Sequence, residues 1–395
     1  MESISEIYRI GYGPSSSHTM GPHAAANIFR DNNPDAFSFK VTLFGSLAAT
    51  GRGHQTDITI IESFKPKTTE IIWQPEVFLA YHPNAMKFEA LSETGEIQSQ
   101  WTVYSTGGGK ISDLSEVSAD VEIYDLNTMD DILTWCRNSG KNFWEYVLEN
   151  EGNALVEHLA IVWKTMEAAI SRGIDQEGII PGGLKLSRKA SSFYVKSKDF
   201  RGTLREKTRI FSYALAVAEE NACGGKIVTA PTCGSSGVLP AVLKVMKDSF
   251  DFSEKKIVRA LATAGLVGNL VKKNASISGA EVGCQGEIGT ACAMASAAAT
   301  QLLGGTPYQI EYAAEMGIEH HLGLTCDPIG GLVQIPCIER NAFASERALS
   351  GSTFAMLSDG RHLVSFDKVV KTMAQTGHDL PSIYKETSAG GLAIS

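Results

Sequence analysis

The feature that most constrains the fold is a change in hydrophobic periodicity about 153 residues into the chain. Before it, short alternating apolar runs mix with one helical stretch, a pattern typical of a small α/β domain. Beyond it, apolar residues recur at helical spacing and strand patterns are scarce. We therefore predict an α+β chain with a small N-terminal α/β domain (residues 1–120), a connector with short helices (121–152) and an all-helical domain (153–395).

The periodicity also predicts individual elements. In the N-terminal domain these are one helix (24–30), three strands (37–44, 58–61 and 70–73) and a hairpin (87–90 and 97–104). In the helical domain they are six helices, over residues 154–170, 208–220, 238–246, 254–271, 288–303 and 309–316. The fifth of these contains an Ala-rich run around Cys292, which predicts a tightly packed helix.

The composition excludes several classes of function. The 395 residues carry a net charge of −9 with no dominant basic face, so nucleic acid is not an expected partner. The chain has no run of about 18 apolar residues, so no membrane span is expected, and its first residues do not resemble a secretory signal. Seven cysteines, an odd number, favour reduced thiols over a disulfide framework, so we expect a cytoplasmic protein.

Three cysteines in the C-terminal half stand beside glycine or proline: Cys284, Cys326 and Cys337. Three thiolates are too few for a closed four-cysteine site. They suit an iron–sulfur cluster that leaves one iron open to substrate, where the iron acts as a Lewis acid. Neighbouring glycine and proline let backbone amides approach the sulfur atoms and keep bulky side chains away.

Other interpretations of these cysteines stay open on spacing alone. The three are separated by 42 and 11 residues, which matches neither the short cysteine pairs of zinc modules nor a ferredoxin run. A buried free cysteine also behaves as a small hydrophobe, which is the interpretation we prefer for Cys136, Cys223 and Cys292.

A hydroxyl-rich segment, Gly-Pro-Ser-Ser-Ser-His-Thr-Met-Gly-Pro (13–22), precedes the first predicted helix. A helix N-terminus with this many donors is a natural seat for a carboxylate, whereas an N-cap needs only one Ser or Thr. The segment therefore offers His18 as a candidate base. It also offers four hydroxyls for substrate binding, those of Ser15, Ser16, Ser17 and Thr19.

The glycine turn Gly-Arg-Gly-His-Gln-Thr-Asp (51–57) presents a second candidate base, His54. A turn histidine that only hydrogen-bonds the backbone explains this motif equally well. Both histidines therefore remain candidates for the base.

A second Gly/Ser loop, Ala-Pro-Thr-Cys-Gly-Ser-Ser-Gly-Val-Leu-Pro (230–240), also leads into a helix. It is neither a Walker A loop nor a nucleophile elbow. Its Cys233 could be a nucleophile or an extra metal ligand, or it packs behind the loop. The residues it offers to an anion are Thr232, Ser235, Ser236 and Gly237.

Further motifs follow in order along the chain. They are His-Pro-Asn (82–84), Tyr-Ser-Thr-Gly-Gly-Gly (104–109), Pro-Gly-Gly-Leu-Lys (181–185), Ala-Glu-Val-Gly-Cys-Gln-Gly-Glu (280–287), Cys-Asp-Pro-Ile-Gly-Gly-Leu-Val-Gln-Ile-Pro-Cys (326–337), Thr-Gly-His-Asp (376–379) and Tyr-Lys-Glu-Thr-Ser-Ala-Gly-Gly-Leu-Ala (384–393). With segments 13–19, 45–54 and 230–232, they make nearly the whole chain resemble the iron–sulfur-dependent L-serine dehydratases (L-serine ammonia-lyases) of the single-chain form.

This resemblance implies a 4Fe–4S cluster on Cys284, Cys326 and Cys337 in an all-helical catalytic domain. It also implies an N-terminal domain like the allosteric substrate-binding domain of some phosphoglycerate dehydrogenases. A homodimer, L-serine as the substrate and a role in amino-acid catabolism and gluconeogenesis belong to the same expectation.

The chain departs from the family pattern in three places. Many members have Asn where this chain has Cys233, and the N-terminal domain looks shorter between Ile61 and Glu70. Some members end in a cysteine that caps the open iron. This sequence ends in Gly-Leu-Ala-Ile-Ser (391–395), so we expect no capping by a terminal cysteine.

The expected reaction is loss of water from L-serine, which yields pyruvate and ammonia. In this hypothesis the β-hydroxyl binds the open iron, the two hydroxyl-rich helix starts hold the carboxylate, and His54 or His18 removes the α-proton. Three alternatives remain: a lyase acting on L-cysteine or another β-substituted amino acid, a non-catalytic iron–sulfur amino-acid sensor, and a cysteine hydrolase using Cys233.

Overall fold

The computed structural model describes residues 1–113 and 122–394. Residues 1–113 contain three α-helices, α1 (Gly21–Asn32), α2 (Gly45–Thr50) and α3 (Thr56–Phe64). Their strands are β1 (Ile10–Tyr12), β2 (Ser38–Phe44), β3 (Thr68–Gln74), β4 (Ala85–Leu91), β5 (Ile97–Gly107) and β6 (Lys110–Ser112). Strands β2 to β6 form one sheet in the order β3-β2-β4-β5-β6, in which only the β2–β3 pair is parallel.

The sheet forms because β2 alternates apolar and polar residues. Phe39, Val41 and Leu43 are buried on one face. The ring of Phe39 stacks on Phe64 of α3 with centroids 4.1 Å apart, and Phe29 of α1 packs on Phe88 at 5.5 Å. This aromatic core fixes the helices against one face of the sheet. The predicted hairpin across residues 92–95 is confirmed as β4–β5.

The strand predicted over Ile58–Ile61 is wrong, because these residues lie inside α3. Ile60 and Phe64 are buried four residues apart on one helix face, whereas Ile58 is exposed on the other side. A run of four residues rich in β-branched side chains is too short for periodicity to separate strand from helix.

The helical part begins with two short helices in the predicted connector, α4 (Met129–Ser139) and α5 (Phe143–Glu151). The remaining helices are α6 (Asn153–Asp175), α7 (Ala190–Asp199), α8 (Gly202–Ala222), α9 (Val238–Phe250), α10 (Glu254–Asn274), α11 (Gly279–Val282), α12 (Thr290–Leu302), α13 (Pro307–Glu319), α14 (Cys337–Leu357) and α15 (Phe366–Asp379). All six predicted helices are confirmed. Helices α7, α11, α14 and α15 are not among those that the periodicity predicts.

The centre of the helical part is α12, whose Ala-rich sequence is buried on every side. Small side chains let its neighbours approach closely: a Cβ added to Gly317 of α13 would lie 2.5 Å from the backbone nitrogen of Ala293. The predicted tight packing around Cys292, itself fully buried, is therefore confirmed.

The first twelve residues pack mainly on the helical part, although Glu2 also pairs with Lys110 of β6 at 2.7 Å. The Tyr8 hydroxyl donates to the Leu261 carbonyl at 2.8 Å, and Ile4 packs against Gly265. Strand β1 pairs antiparallel with β7 (Lys226–Val228), the one strand of the otherwise helical part within the described residues. The α+β fold class is confirmed, while the boundaries at residues 120 and 153 remain predictions.

Across residues 1–113 and 122–394, none of the helices combines the length and apolar character needed to cross a membrane.

Candidate active site

The site residues predicted from the two halves of the chain meet at a seam between the sheet and the helical part. On the sheet side, a π-helical turn (Ser16–Met20) leads into α1, and a short turn follows α2. On the helical side are the loops before α12 and α14 and the C-terminal tail after α15. A Cβ added to Gly53 would lie 2.8 Å from the carbonyl oxygen of Gly331, so the two sides touch here.

The two candidate bases lie side by side. The rings of His18 and His54 are 4.4 Å apart between centroids, and both side chains are buried. Their backbones are joined by hydroxyls. Thr19 donates to the carbonyl of His54 at 2.7 Å, and Thr56 donates to that of His18 at 2.6 Å. The hydroxyl-rich turn and the glycine turn therefore form one rigid unit.

A glutamate from the tail completes this pair. Glu386 Oε1 lies 3.1 Å from His18 Nδ1 and accepts a hydrogen bond from the Ser17 hydroxyl at 3.2 Å. Burial alone would raise the pKa of Glu386, but the charge and hydrogen bond of His18 outweigh burial and lower it to about 2. Glu386 is therefore ionised at neutral pH.

The pKa values of the two histidines shift in opposite directions. Burial alone would lower the pKa of His18, but the charge of Glu386 and the hydrogen bonds to Glu386 and Ser46 raise it above its ordinary value. Burial and then the charge of His18 lower the pKa of His54 to about 3. His54 is neutral at pH 7, and its Nδ1 atom is buried without a hydrogen-bond partner among the described residues.

The hydroxyls of the π-helical turn mostly bond within the turn. Ser15 Oγ accepts from the His18 amide at 3.1 Å and lies 3.3 Å from Ser17 Oγ. The Ser15 amide donates to the Thr19 hydroxyl at 3.2 Å. Ser16 is buried in the same turn. The four predicted substrate-binding hydroxyls are thus gathered around His18, and their binding role remains a proposal.

The second loop reaches the same seam from the helical side. The hydroxyl of Thr232 lies 3.1 Å from that of Ser235, and it also hydrogen-bonds Glu287. Ser236 Oγ is buried without a partner among the described residues. The amide of Gly237 is already bonded to Asn341 of α14 at 2.9 Å. Three of the four residues therefore keep a polar side chain at the seam.

Cys233, in the same loop, packs behind it. Its sulfur is 3.7 Å from that of Met20, and burial raises the pKa of the thiol well above its ordinary value. A nucleophilic cysteine needs a lowered pKa and a nearby base. The surroundings of Cys233 therefore speak against a cysteine hydrolase.

The three cysteines of the metal hypothesis approach one another. Cys284 follows α11, Cys337 begins α14, and Cys326 lies in the intervening loop. Burial raises the pKa of all three thiols, and the charge of Cys284 contributes to the rise at Cys326 and Cys337. Arg340, one turn into α14, hydrogen-bonds Cys284. Three soft sulfur donors thus share one guanidinium as counter-charge.

Glu287 lies beside these thiols, with Oε2 3.9 Å from the sulfur of Cys326. Burial and the charge of Glu386 raise its pKa to about 7, although the Thr232 hydroxyl and Arg340 act in the opposite direction. An added Cβ at Gly279 would lie 3.1 Å from the Cys326 sulfur, so a larger residue here would crowd this thiol.

The donor chemistry fits an iron–sulfur cluster, because three cysteine sulfurs converge where a glycine leaves room beside one of them. Among the described residues, no three Cys, His, Asp or Glu side chains are already spaced as ligands of a single metal ion. The three thiols therefore lie near one another, but they are not arranged as ligands of a single metal ion.

Several buried polar atoms near the seam have no hydrogen-bond partner among the described residues. Such atoms are rare in native proteins, so a bound molecule is expected to satisfy them. Two contacts show that these atoms are near the seam. Ser105 lies against Gly21, the first residue of α1 on the sheet side. His82 Nε2 is 3.7 Å from Glu281 of α11 on the helical side, which is too far for a hydrogen bond. The atoms are His54 Nδ1, His82 Nε2, Asn84 Oδ1 and Nδ2, Ser105 Oγ, Ser236 Oγ, Ser278 Oγ and Glu386 Oε2.

The sequence analysis did not single out Glu386, Glu287 or Arg340. A signal existed for two of them: Glu287 and Arg340 each stand three residues after a candidate ligand cysteine. Glu386 carried no such signal, because its partner Ser17 is 369 residues away in the chain.

Family models account for both halves of the chain. The model described as serine dehydratase alpha chain matches residues 99–393. The model described as serine dehydratase beta chain matches residues 3–69 and 62–116.

Full-length relatives carry the same name. An L-serine dehydratase of Streptomyces coelicolor is 41% identical over 450 aligned positions, covering 100% of this chain and 98% of the relative. That of Haemophilus influenzae is 40% identical, with 100% and 99% covered. That of Helicobacter pylori is 37% identical, with 99% and 98% covered. On these similarities, which extend from end to end, the chain belongs to the serine dehydratase family.

Proposed function

We propose that the protein is an L-serine ammonia-lyase that eliminates water from L-serine through an iron–sulfur cluster. The observation that carries the proposal is the meeting of a neutral buried histidine, His54, and three converging cysteines at one seam lined by unpartnered polar atoms. The cluster would be held by Cys284, Cys326 and Cys337. It would supply a Lewis acid for the departing β-hydroxyl.

The chain's own groups would bind and orient the amino acid. L-Serine carries a carboxylate, an ammonium and a hydroxyl. The serine hydroxyls of the π-helical turn and the second loop can donate to the carboxylate. The unpartnered Asn84 Oδ1 can accept from the ammonium. The seam therefore offers donors and acceptors for both ends of a zwitterion.

Proton transfer is assigned to His54. Its unpartnered Nδ1 and neutral state suit a proton acceptor, while His18 is held in the charged form and cannot accept. Removal of the α-proton and loss of the β-hydroxyl as water give 2-aminoacrylate. Its imine tautomer hydrolyses to pyruvate and ammonia.

The test is anaerobic reconstitution with iron and sulfide, followed by assays for pyruvate from L-serine and hydrogen sulfide from L-cysteine. Cys326→Ala should lose both iron and activity, while the matched control Cys136→Ala, on α4, should keep both. His54→Ala should keep iron but lose about 10²–10⁴-fold in kcat. Full activity without iron, or sulfide release from L-cysteine without pyruvate formation from L-serine, would refute the proposal. Cluster binding without any turnover would favour a sensor.

A homodimer in the cytoplasm is part of the same proposal. Support comes from α14, where Phe343, Phe354 and Leu357 are exposed large apolar side chains that a second copy could cover. Sedimentation should then give about twice the chain mass of 42.4 kDa.

A further inference from the structure

The tail residue Glu386 is held by contacts to both parts of the molecule. On its two sides, the Tyr384 carbonyl accepts from the Cys326 amide at 2.8 Å, and the Thr387 amide donates to the Cys326 carbonyl at 3.1 Å. Its own carbonyl accepts from the Ser46 hydroxyl at 3.3 Å. The tail is therefore tied to the helical part and the sheet part on either side of this residue.

The backbone of Glu386 is strained. Its φ of 46° is in the left-handed region, which a residue with a Cβ adopts only when its surroundings impose it. The strain turns the carboxylate inward, where the side chain is only 12% exposed and reaches His18. Strained residues of this kind are often found at functional sites.

The hydrogen bonds of His18 require two ring protons. Nδ1 lies 3.1 Å from Glu386 Oε1 and 2.9 Å from Ser17 Oγ, and Nε2 lies 3.1 Å from the carbonyl oxygen of Ser46. The Ser17 hydroxyl donates its proton to Glu386 Oε1, so toward Nδ1 it can only accept. A carboxylate and a carbonyl only accept, and a neutral imidazole can donate from one nitrogen only. The geometry is therefore satisfied by the imidazolium form, whose charge Glu386 balances.

We propose that Glu386 is a positioning residue that keeps His18 doubly protonated, so that the adjacent His54 stays neutral and is the single proton acceptor of the pair. The inference rests on the proposed function. It adds that the C-terminal tail contributes a negative charge, and that without this charge His18 and His54 would not differ in protonation. Glu386 acts through His18 and is not assigned any contact with the reacting atoms.

Other charged groups around the pair do not replace Glu386. Among the described residues, Glu287 also acts on His18, but less strongly than Glu386 does. His82 faces Glu281 of α11 and is buried with a lowered pKa, so it adds little positive charge near neutral pH. The balance at His18 therefore depends mainly on one carboxylate.

Three holoenzyme variants test the inference: Glu386→Gln, which keeps the shape but removes the charge, Glu386→Asp, which keeps the charge, and Ser388→Ala as a control. Ser388 contacts the Ala49 carbonyl at 3.5 Å, so its loss alters tail docking without altering charge. The measurement is kcat/KM for L-serine between pH 6 and pH 9.

For Glu386→Gln we expect a loss of about 30-fold or more at pH 8 that becomes smaller as the pH falls, because burial without the counter-charge lowers the pKa of His18 and its protonation then needs a lower pH. Glu386→Asp should recover at least about a third of the activity with the wild-type pH profile, and Ser388→Ala should stay within about twofold. Equal losses in the Gln and Asp variants with an unchanged profile would reduce Glu386 to a structural role and overturn the inference.

A readout independent of turnover keeps the two proposals separable. Nitrogen NMR of protein labelled at histidine, with the His18 signals assigned from their loss in His18→Gln, reports the protonation of both ring nitrogens. An imidazolium at pH 8 in the wild type and a neutral ring in Glu386→Gln support the inference, even if L-serine is not turned over. A neutral His18 in the wild type at pH 8 overturns it, whether or not the variants fold.

Discussion

At the scale of single residues, the site depends on two adjacent histidines whose pKa values shift in opposite directions. The sequence offered both as candidates: His18 because its segment holds more polar groups than a helix cap needs, and His54 because a histidine in a glycine turn can act as a base near neutral pH. It could not predict which is charged. That difference comes from Glu386 and from burial, neither of which is a local property of the motif.

The buried neutral His54 makes stability depend on pH. In the folded protein its pKa is about 3, whereas in the unfolded chain a histidine titrates near 6.5, so between these values only the unfolded chain binds the proton. Folding stability from this residue is therefore lost as pH falls below about 6.5. Between pH 6.5 and 4.5 the free energy of unfolding should fall by about 2 kcal/mol more in the wild type than in His54→Gln.

Urea unfolding of both proteins at these two pH values measures the difference. His320→Gln, at a side chain more than half exposed, is the matched control and should behave as the wild type does. If the free energy of unfolding changed with pH in the same way in the wild type and in His54→Gln, His54 would not be held neutral in the folded protein.

At the scale of elements, small residues decide how closely helices pack. The Ala-rich run in α12 was predicted as a tightly packed helix, and the structure confirms it. The predicted strand 58–61 failed because burial at Ile60 and Phe64 depends on how α3 docks onto the sheet, which local periodicity does not contain.

Gly317 on α13 tests the helix packing. An added Cβ would lie 2.5 Å from backbone atoms of Ala293 in α12, and backbone cannot move aside as a flexible side chain can. Gly317→Ala should lower the free energy of unfolding by about 2–3 kcal/mol. Thermal unfolding measures the change.

Gly351 on α14 is the matched control, because the nearest atom to its added Cβ is the Ser296 hydroxyl at 3.7 Å. Gly351→Ala should leave stability unchanged or raise it by up to about 1 kcal/mol, since alanine favours helix. If the two substitutions had equal effects, the close approach of α12 and α13 would not limit the packing.

At the scale of the whole molecule, the tail joins the two parts across the seam. It reaches Cys326 and Asp327 on the helical side, where the Leu392 amide donates to Asp327 Oδ2 at 2.9 Å. It reaches Ser46 on the sheet side.

The alignment to the Streptomyces relative has 450 positions against 395 residues here, so at least 55 positions are missing from this chain. The two beta-chain matches meet at residues 62–69, within the region expected to be shorter.

Removing residues 384–395 should loosen the sheet part from the helical part. Limited trypsin digestion should then cut sites in the sheet part about tenfold faster, because opening of the seam becomes more frequent. Deleting residues 394–395 alone should leave the digestion rate unchanged. Digestion of the longer truncation at the wild-type rate would show that the seam is held without the tail.

The sequence by itself determined the α+β class, six of the helices and the histidines, hydroxyls and cysteines that gather at the seam, because periodicity and glycine-rich turns are local properties of the chain. Only the tertiary structure decided which of those residues are charged, which hydroxyls are already bonded and which side chain faces His18. These depend on burial and on contacts between residues far apart in the chain, such as Ser17 and Glu386, which no local pattern encodes.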